Sequence, residues 1–286
     1  MVALEERCAA FKEYALTVSE RCARLDKAQQ IIQHARMLAI IGGTGLTKLA
    51  NLEVANRKVI RTPYGEPSGA LTFGRIRGRE VIFLARHGYG HTIPPHMVNY
   101  RANIWALHSQ QVTHVMSVAS VGGINPDLVP GTLAVPDQII DYTYGRHGTF
   151  FDGGESGVMH IDFTRPYCDE LRARCIEAAA RAGQRVFAGG VYAASQGPRL
   201  ETAAEIDRLA RDGCDMVGMT GMPEAALAKE IGLSYAAIAV VANFAAGRGA
   251  SEHGIRMEDI NAVLHDAMTR VRAVLEKLVE MADASD

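Results

Sequence analysis

The sequence predicts an α/β fold built as one main domain around a mixed or parallel sheet, and three observations carry that expectation. Short apolar runs alternate with helix-length amphipathic segments from Leu38 onward. Several of those runs end in Gly-, Ser- or Thr-bearing turns, where open α/β sheets gather ligands. A chain of 286 residues with 48% hydrophobic content is long enough to bury a full core.

The elements follow in order. Residues 3–36 read as one long helix without Gly or Pro, with Leu4, Cys8, Phe11, Ala15, Val18, Cys22, Leu25 and Ile32 forming an approximate stripe at helical spacing. This stretch is expected to be a helical extension, residues 1–36, appended to a domain spanning 37–286. Residues 38–41 form a buried strand that runs into Gly42-Gly43-Thr44-Gly45. After a turn at residues 62–67, alternation predicts a hairpin over 70–75 and 80–85, whose second strand delivers Arg86, His87 and, a few residues on, His91.

A helix is expected at 99–110, a buried strand at 115–118 ending in Ala119-Ser120, and another strand at 132–136. Residues 145–163 are Gly-rich and polar and contain His147 and His160, which marks a long functional loop. A helix at 166–183, a strand at 186–194 and a helix closing at Arg211 come next. The run Met216-Val217-Gly218 leads to Met219 and Thr220, and Pro223 opens a helical segment ending near Gly232. The most apolar strand, 235–241, ends at Asn243, and residues 257–281 form a closing amphipathic helix.

Composition excludes several classes. A net charge of −2 leaves no electrostatic footprint for nucleic acid or an anionic membrane. Five cysteines without CxxC or zinc spacing, together with 11 methionines, fit a reducing cytoplasm. No apolar run reaches membrane-spanning length, and acidic residues near Met1 do not suit a secretory signal. No metal-ligand cluster or serine–histidine elbow stands out, so neither metal nor cofactor is expected.

The turns carry the chemistry. Glycines after the first strand let backbone approach an anion closely, and Thr44 can donate a hydroxyl. A dinucleotide fingerprint would need a third glycine opening a helix and an acidic residue about 20 positions on. Leu46-Thr47-Lys48 stands there instead, so a phosphate-sized anion is favoured over NAD and an NAD-dependent oxidoreductase is a weak rival. Arg86 beside His87 at a strand end suits phosphate, because a guanidinium can bind two oxygens at once. Thr220 offers a hydroxyl and an amide near a helix N-terminus. Met219 offers a soft apolar face for a sugar ring.

Taken together, these loops resemble the nucleoside phosphorylase family that includes trimeric purine nucleoside phosphorylase and methylthioadenosine phosphorylase. The matching pieces are Gly42-Gly43-Thr44-Gly45, Ala85-Arg86-His87-Gly88, His91-Thr92-Ile93-Pro94, Asn99-Tyr100-Arg101-Ala102-Asn103, Gln196-Gly197-Pro198-Arg199 and Met219-Thr220-Gly221-Met222-Pro223-Glu224. The resemblance implies a single three-layer domain with a mixed central sheet flanked by helices, and a homotrimer that takes nucleoside and inorganic phosphate. It implies that Thr44, Arg86, His87, the backbone of Ala119 and Ser120, and Thr220 hold phosphate. The family commonly has a Thr/Asn-Ala pair where this chain has Ala119-Ser120, so only the amides carry over there. Met219 would lie against the ribose.

The base pocket distinguishes branches of the family. Methylthioadenosine phosphorylase has aspartates at the positions of Asn243 and Ala245, and a Ser at that of Glu201. Glu201 with Asn243 is the pairing of enzymes for 6-oxopurines. A carboxylate at Glu201 accepts from the N1–H of such a base, and Asn243 donates toward O6 or N7. Adenine would set an N1 lone pair against Glu201, and a mispaired buried polar group costs ~1–3 kcal/mol. At the sugar's 5′ end, Met257 aligns with a His of relatives that take ordinary nucleosides. Met257 and Ile260 offer no hydrogen bond and suit a methylthio group. His160 matches a residue that the adenine relative lends to a neighbouring subunit's 5′ pocket.

The expected reaction is therefore phosphorolysis of S-methyl-5′-thioinosine to hypoxanthine and 5-methylthioribose 1-phosphate, with Asn243 and His87 at the chemistry. Inosine, guanosine or methylthioadenosine are the alternative substrates, and the rivals from other classes are the NAD-dependent oxidoreductase and a silent nucleoside-binding protein.

Overall fold

A computed structural model of the chain describes residues 37–153 and 157–281. The expected helix at 3–36 lies outside the described residues. A compact unit begins at Met37.

Among the described residues, eleven strands form one mixed sheet. They are β1 (Leu38–Gly42), β2 (Glu53–Lys58), β3 (Leu71–Ile76), β4 (Arg79–Ala85), β5 (His114–Gly123), β6 (Leu133–Val135), β7 (Gln138–Asp141), β8 (Val186–Ala188), β9 (Val191–Ala194), β10 (Met216–Gly218) and β11 (Ser234–Phe244). Five α-helices accompany them among the described residues: α1 (Tyr100–Ser109), α2 (Asp169–Arg181), α3 (Ala203–Arg211), α4 (Gly221–Glu230) and α5 (Met257–Glu280).

β1 shows why the sheet is covered on both faces. Its residues are all buried, and successive side chains point to opposite sides. Leu38 and Ile40 join a core with Leu171 and Cys175 of α2 and Leu264, Met268 and Val271 of α5. Ala39 and Ile41 join the opposite core with Ile104 and Leu107 of α1 and Leu227 and Ala228 of α4. The result is helix layer, sheet, helix layer.

The sheet splits at β5, and this split makes the site. β5 runs parallel to β11 along its length. On its other edge, β1 pairs with residues 114–117 and β10 pairs antiparallel with Gly122 and Gly123. Residues 118–121 therefore have a strand on one side only. The ends of β1 and β10 face that gap, the kind of switch point at which α/β sheets bind ligands.

The hairpin, α1, α3 and α5 form close to where periodicity puts them. Asn99 caps α1 by accepting from the Ala102 amide, and Thr202 with Glu205 forms a capping box on α3. The expected single strand at 186–194 is two, because Gly189 and Gly190 both adopt positive φ and β8 and β9 pair with different neighbours. α2 starts at Asp169 rather than Pro166. β2 gives no sequence signal, because all six residues are exposed and no apolar alternation exists. β11 extends through Phe244, which places Asn243 inside the strand.

Candidate active site

One cavity of about 580 Å³ opens at the split, within the size range of small-molecule sites. Thr44, Arg86, His87, Ala119, Ser120 and Thr220 line it, as do Met219, Glu201, Asn243, Ala245, Met257 and Ile260. His160 is exposed and is not part of this lining.

The anion end combines three elements. β1 hands over to Gly43 and Thr44, β4 to Arg86 and His87, and β10 to Thr220. Gly43 has to be glycine, because a Cβ there would lie 2.6 Å from the Val118 carbonyl and 2.9 Å from Arg86 Nη1. Thr44 Oγ1 is 3.0 Å from His91 Nε2. His91 itself holds φ 51°, unusual for a residue with a Cβ, and its ring stacks on His87 at 4.7 Å.

Arg86, expected at a phosphate, sits at this end of the cavity with its guanidinium largely committed to the protein. Its side chain is fully buried, and most of its fork is taken up by protein partners. Nε donates to Glu224 Oε2 at 2.7 Å and Nη2 donates to Oε1 at 2.8 Å. Nη2 also donates to Ser117 Oγ at 2.6 Å, and Nη1 to the Val118 carbonyl at 3.0 Å. Of the five N–H groups of a guanidinium, these bonds leave one on Nη1, beneath Gly43. Arg86 can present one donor and a positive field to an anion, not a two-oxygen clamp. Burial opposes its charge, but the Glu224 carboxylate more than offsets this and holds its pKa above the ordinary value. Glu224, fully buried in the first turn of α4, was quoted in the sequence motif without a role. Its Oε1 also accepts from Ser117 Oγ at 3.0 Å and Tyr235 OH at 2.8 Å.

His87 Nδ1 is 2.8 Å from the Ile93 carbonyl. A carbonyl can only accept, so Nδ1 carries the proton, and in the neutral ring Nε2 keeps its lone pair. Burial and then the Arg86 charge push the His87 pKa down to about 4. The folded-state value lies below the ordinary 6.5. Between those values the unfolded chain takes up a proton that the folded chain refuses. Stability is therefore lost as pH falls from about 6.5 toward 4 and is level above that window. Urea unfolding at pH 7.5 and 4.5 should show His87→Gln losing roughly 2 kcal/mol less stability than the wild type between the two conditions. An unchanged difference would mean that His87 is not held neutral.

The other end of the cavity carries the base candidates. Two residues of β11, from Val241 to Asn243, advance β5 by only one, from Val121 to Gly122. This bulge re-aims Asn243 at the cavity. Asn243 Nδ2 donates to the Phe244 carbonyl at 2.6 Å, which leaves a second amide N–H and the carbonyl oxygen. Ser195 donates its hydroxyl to Glu201 Oε1 at 2.5 Å, which fixes one oxygen and leaves the other as an acceptor. Ser195 was not singled out from the sequence.

Between the two ends, Met219 follows β10, and a Cβ on Gly197 would come within 2.5 Å of its sulfur. Thr220 makes no side-chain cap on α4, and its amide is 3.4 Å from Tyr192 OH. Met222 has non-helical torsions, so regular helix begins at Pro223 as its chemistry predicts. Met257 is 59% exposed at the cavity mouth, whereas Ile260 is buried.

Comparison with known proteins accounts for this arrangement. A family described as "Phosphorylase superfamily" matches residues 37–280. The chain is 52% identical over 241 residues to "Probable S-methyl-5′-thioinosine phosphorylase" of Pseudomonas syringae pv. tomato, covering 84% of this chain and 97% of that one. It is 47% identical over 215 residues to "6-oxopurine nucleoside phosphorylase" of Pyrococcus furiosus, covering 73% of this chain and 80% of the relative. Among solved structures, methylthioadenosine phosphorylase from Schistosoma mansoni in complex with adenine superposes with a TM-score of 0.83 at 32% identity, covering 88% and 93% of the two chains. A strand-split cavity lined by these residues, on a chain with these relatives, has one interpretation: the protein belongs to the phosphorylase superfamily.

Proposed function

We propose that this chain cleaves 6-oxopurine nucleosides with inorganic phosphate, taking S-methyl-5′-thioinosine to hypoxanthine and 5-methylthioribose 1-phosphate. The observation that carries this reading is the pair of groups at the base end: an acceptor carboxylate at Glu201 and a donor amide at Asn243, both on one cavity. The names borne by the Pseudomonas and Pyrococcus relatives agree with it.

The reaction needs no covalent enzyme intermediate. The bond from C1′ to the purine nitrogen breaks, and its electron pair leaves on the base. An oxygen of phosphate bonds C1′, and the proton that phosphate brought balances on the purine. Asn243 donates toward N7 or O6, where negative charge accumulates. Neutral His87, with an Nε2 lone pair, accepts the O–H of monoprotonated phosphate and turns an unprotonated oxygen to C1′. Thr44, the amides near Ala119 and Ser120, Thr220 and the single Arg86 donor complete the anion site. Met219 lies along the ribose.

At the 5′ end, Ile260 and Met257 favour a methylthio group over a hydroxyl. We assign the protein to the cytoplasm as a homotrimer, without cofactor or metal. In that trimer the loop bearing exposed His160 reaches a neighbouring 5′ end, which covers Met257. No helix among the described residues is long and apolar enough to cross a membrane.

A purified-protein assay of hypoxanthine release tests the reading. Turnover should require phosphate, and kcat/KM should rank S-methyl-5′-thioinosine above inosine and methylthioadenosine. Inosine ranking first would move the substrate to an ordinary nucleoside, as the Pyrococcus relative's name allows. No phosphate-dependent turnover of either 6-oxopurine nucleoside would sink the proposal.

A further inference from the structure

Arg146 lies in the connection between β7 and α2, in the segment expected to be a functional loop, and no step above uses it. Four of its six hydrogen-bond acceptors are backbone carbonyls, the others being Gln196 Oε1 and, from Nη1 at 3.3 Å, Tyr100 OH. Nη1 donates to the carbonyls of Met219 at 2.8 Å and Met222 at 2.6 Å. Nη2 donates to the Gln196 carbonyl at 2.9 Å, and Nε to Gln196 Oε1 at 3.2 Å. The Ser195 carbonyl lies 3.4 Å from Nη2, and the guanidinium sits over the Tyr100 ring at 5.4 Å.

These acceptors belong to the two turns that build the nucleoside side of the cavity. The Met219 carbonyl shares a peptide plane with the Thr220 amide, so holding one orients the other. The Gln196 carbonyl shares its plane with Gly197, which packs against the Met219 sulfur. Ser195, next in line, holds Glu201. One cation thus ties the phosphate turn, the sugar wall and the base loop together. A lysine could not replace it, because an ammonium has three donors on a single atom and cannot span acceptors fanned around a planar fork.

We propose that Arg146 is a positioning residue of this active site, clamping the 195–197 and 219–222 turns so that Glu201, Met219 and Thr220 keep the spacing a nucleoside requires. The proposal rests on the phosphorylase reading above. Displacement of a reacting group by about an ångström costs on the order of 10²-fold. Arg146→Ala and Arg146→Lys are therefore expected to lower kcat/KM for S-methyl-5′-thioinosine by roughly 10–100-fold. The preference for that substrate over methylthioadenosine should narrow as well, because Glu201 is no longer held in register.

The experiment compares both variants with wild type on the two nucleosides, with urea unfolding alongside, and adds low-millimolar guanidinium chloride to Arg146→Ala. Partial return of activity with guanidinium, together with the narrowed preference, supports the clamp. Wild-type kcat/KM in a folded variant overturns it. So does an equal loss on both nucleosides without guanidinium rescue, since that is what general loosening of the fold would give. If Arg146→Ala does not fold, the same two readouts are taken on Arg146→Lys. Absence of phosphate-dependent turnover in wild type would instead overturn the proposed function, and the clamp with it.

Discussion

Exchanging the base-facing pair, Asn243→Asp together with Glu201→Ser, should reverse the purine preference of this protein, from the 6-oxo compound to the 6-amino one. Each change replaces a group matched to a keto base. Hypoxanthine presents N1–H, which in the proposed complex Glu201 accepts through the oxygen that Ser195 does not occupy. Adenine presents a lone pair at N1 and an amino group, so it needs the carboxylate removed from one position and an acceptor supplied at the other. A mispaired buried polar group costs roughly 1–3 kcal/mol, or about 5–150-fold per contact. Asn243→Asp alone should move the kcat/KM ratio of S-methyl-5′-thioinosine to methylthioadenosine about tenfold toward adenine. The single change also places a carboxylate beside the Phe244 carbonyl, which now accepts from Asn243 Nδ2 at 2.6 Å. Part of the gain is therefore lost to local repulsion, and the double variant should exceed the sum of the single changes because both groups address one base. If the ratio stays fixed in the double variant, neither residue faces the nucleobase.

The largest effect on stability is expected at Glu224. Glu224→Ala leaves the Arg86 guanidinium fully buried with only the Ser117 hydroxyl and the Val118 carbonyl as partners, and it also removes the acceptor of Tyr235 OH. Breaking a buried pair in this way costs about 3–5 kcal/mol. For a domain of this size, that lowers Tm by roughly 6–20 °C. Glu224→Gln, which keeps shape and hydrogen-bond capacity but not charge, should fall between Ala and wild type. Replacing both partners, Arg86→Met with Glu224→Leu, should recover most of the stability, because the desolvation cost of the ions is removed with them. That double variant should remain poor in phosphate use, since the charge under Gly43 has gone. Calorimetry on the four proteins decides it. A wild-type midpoint for Glu224→Ala would mean that the pair contributes nothing to folding.

Glu224 also shows where reading from the chain stopped. The motif Met219-Thr220-Gly221-Met222-Pro223-Glu224 placed the turn and the helix start correctly, because proline chemistry and glycine placement act locally. The role of Glu224 was invisible, because its partner is 138 positions away and no periodicity links them. The Arg86–Glu224 pair was hidden for the same reason: an arginine at a strand end has the chemistry for a two-oxygen clamp, and only its neighbours reveal that four of its five N–H groups are already bonded. Arg146 gave no signal at all in a polar, Gly-rich segment. β2 was equally silent, an exposed strand held to β3 by its backbone ladder and by Lys58 lying over the Phe73 ring at 4.8 Å.

The sequence by itself determined the α/β class and the positions of most strands and helices, and it supplied the residue types from which an anion end and a keto-purine end are proposed. These follow from hydrophobic period, capping and side-chain functional groups, which operate within a few residues. Tertiary structure alone decided that β5 is left without a strand partner along one edge at residues 118–121, that Arg86 answers to Glu224, and that Arg146 binds the two turns of the nucleoside side together. These outcomes depend on hydrogen bonds between groups far apart in the chain, whose directions are set only once the layers have packed.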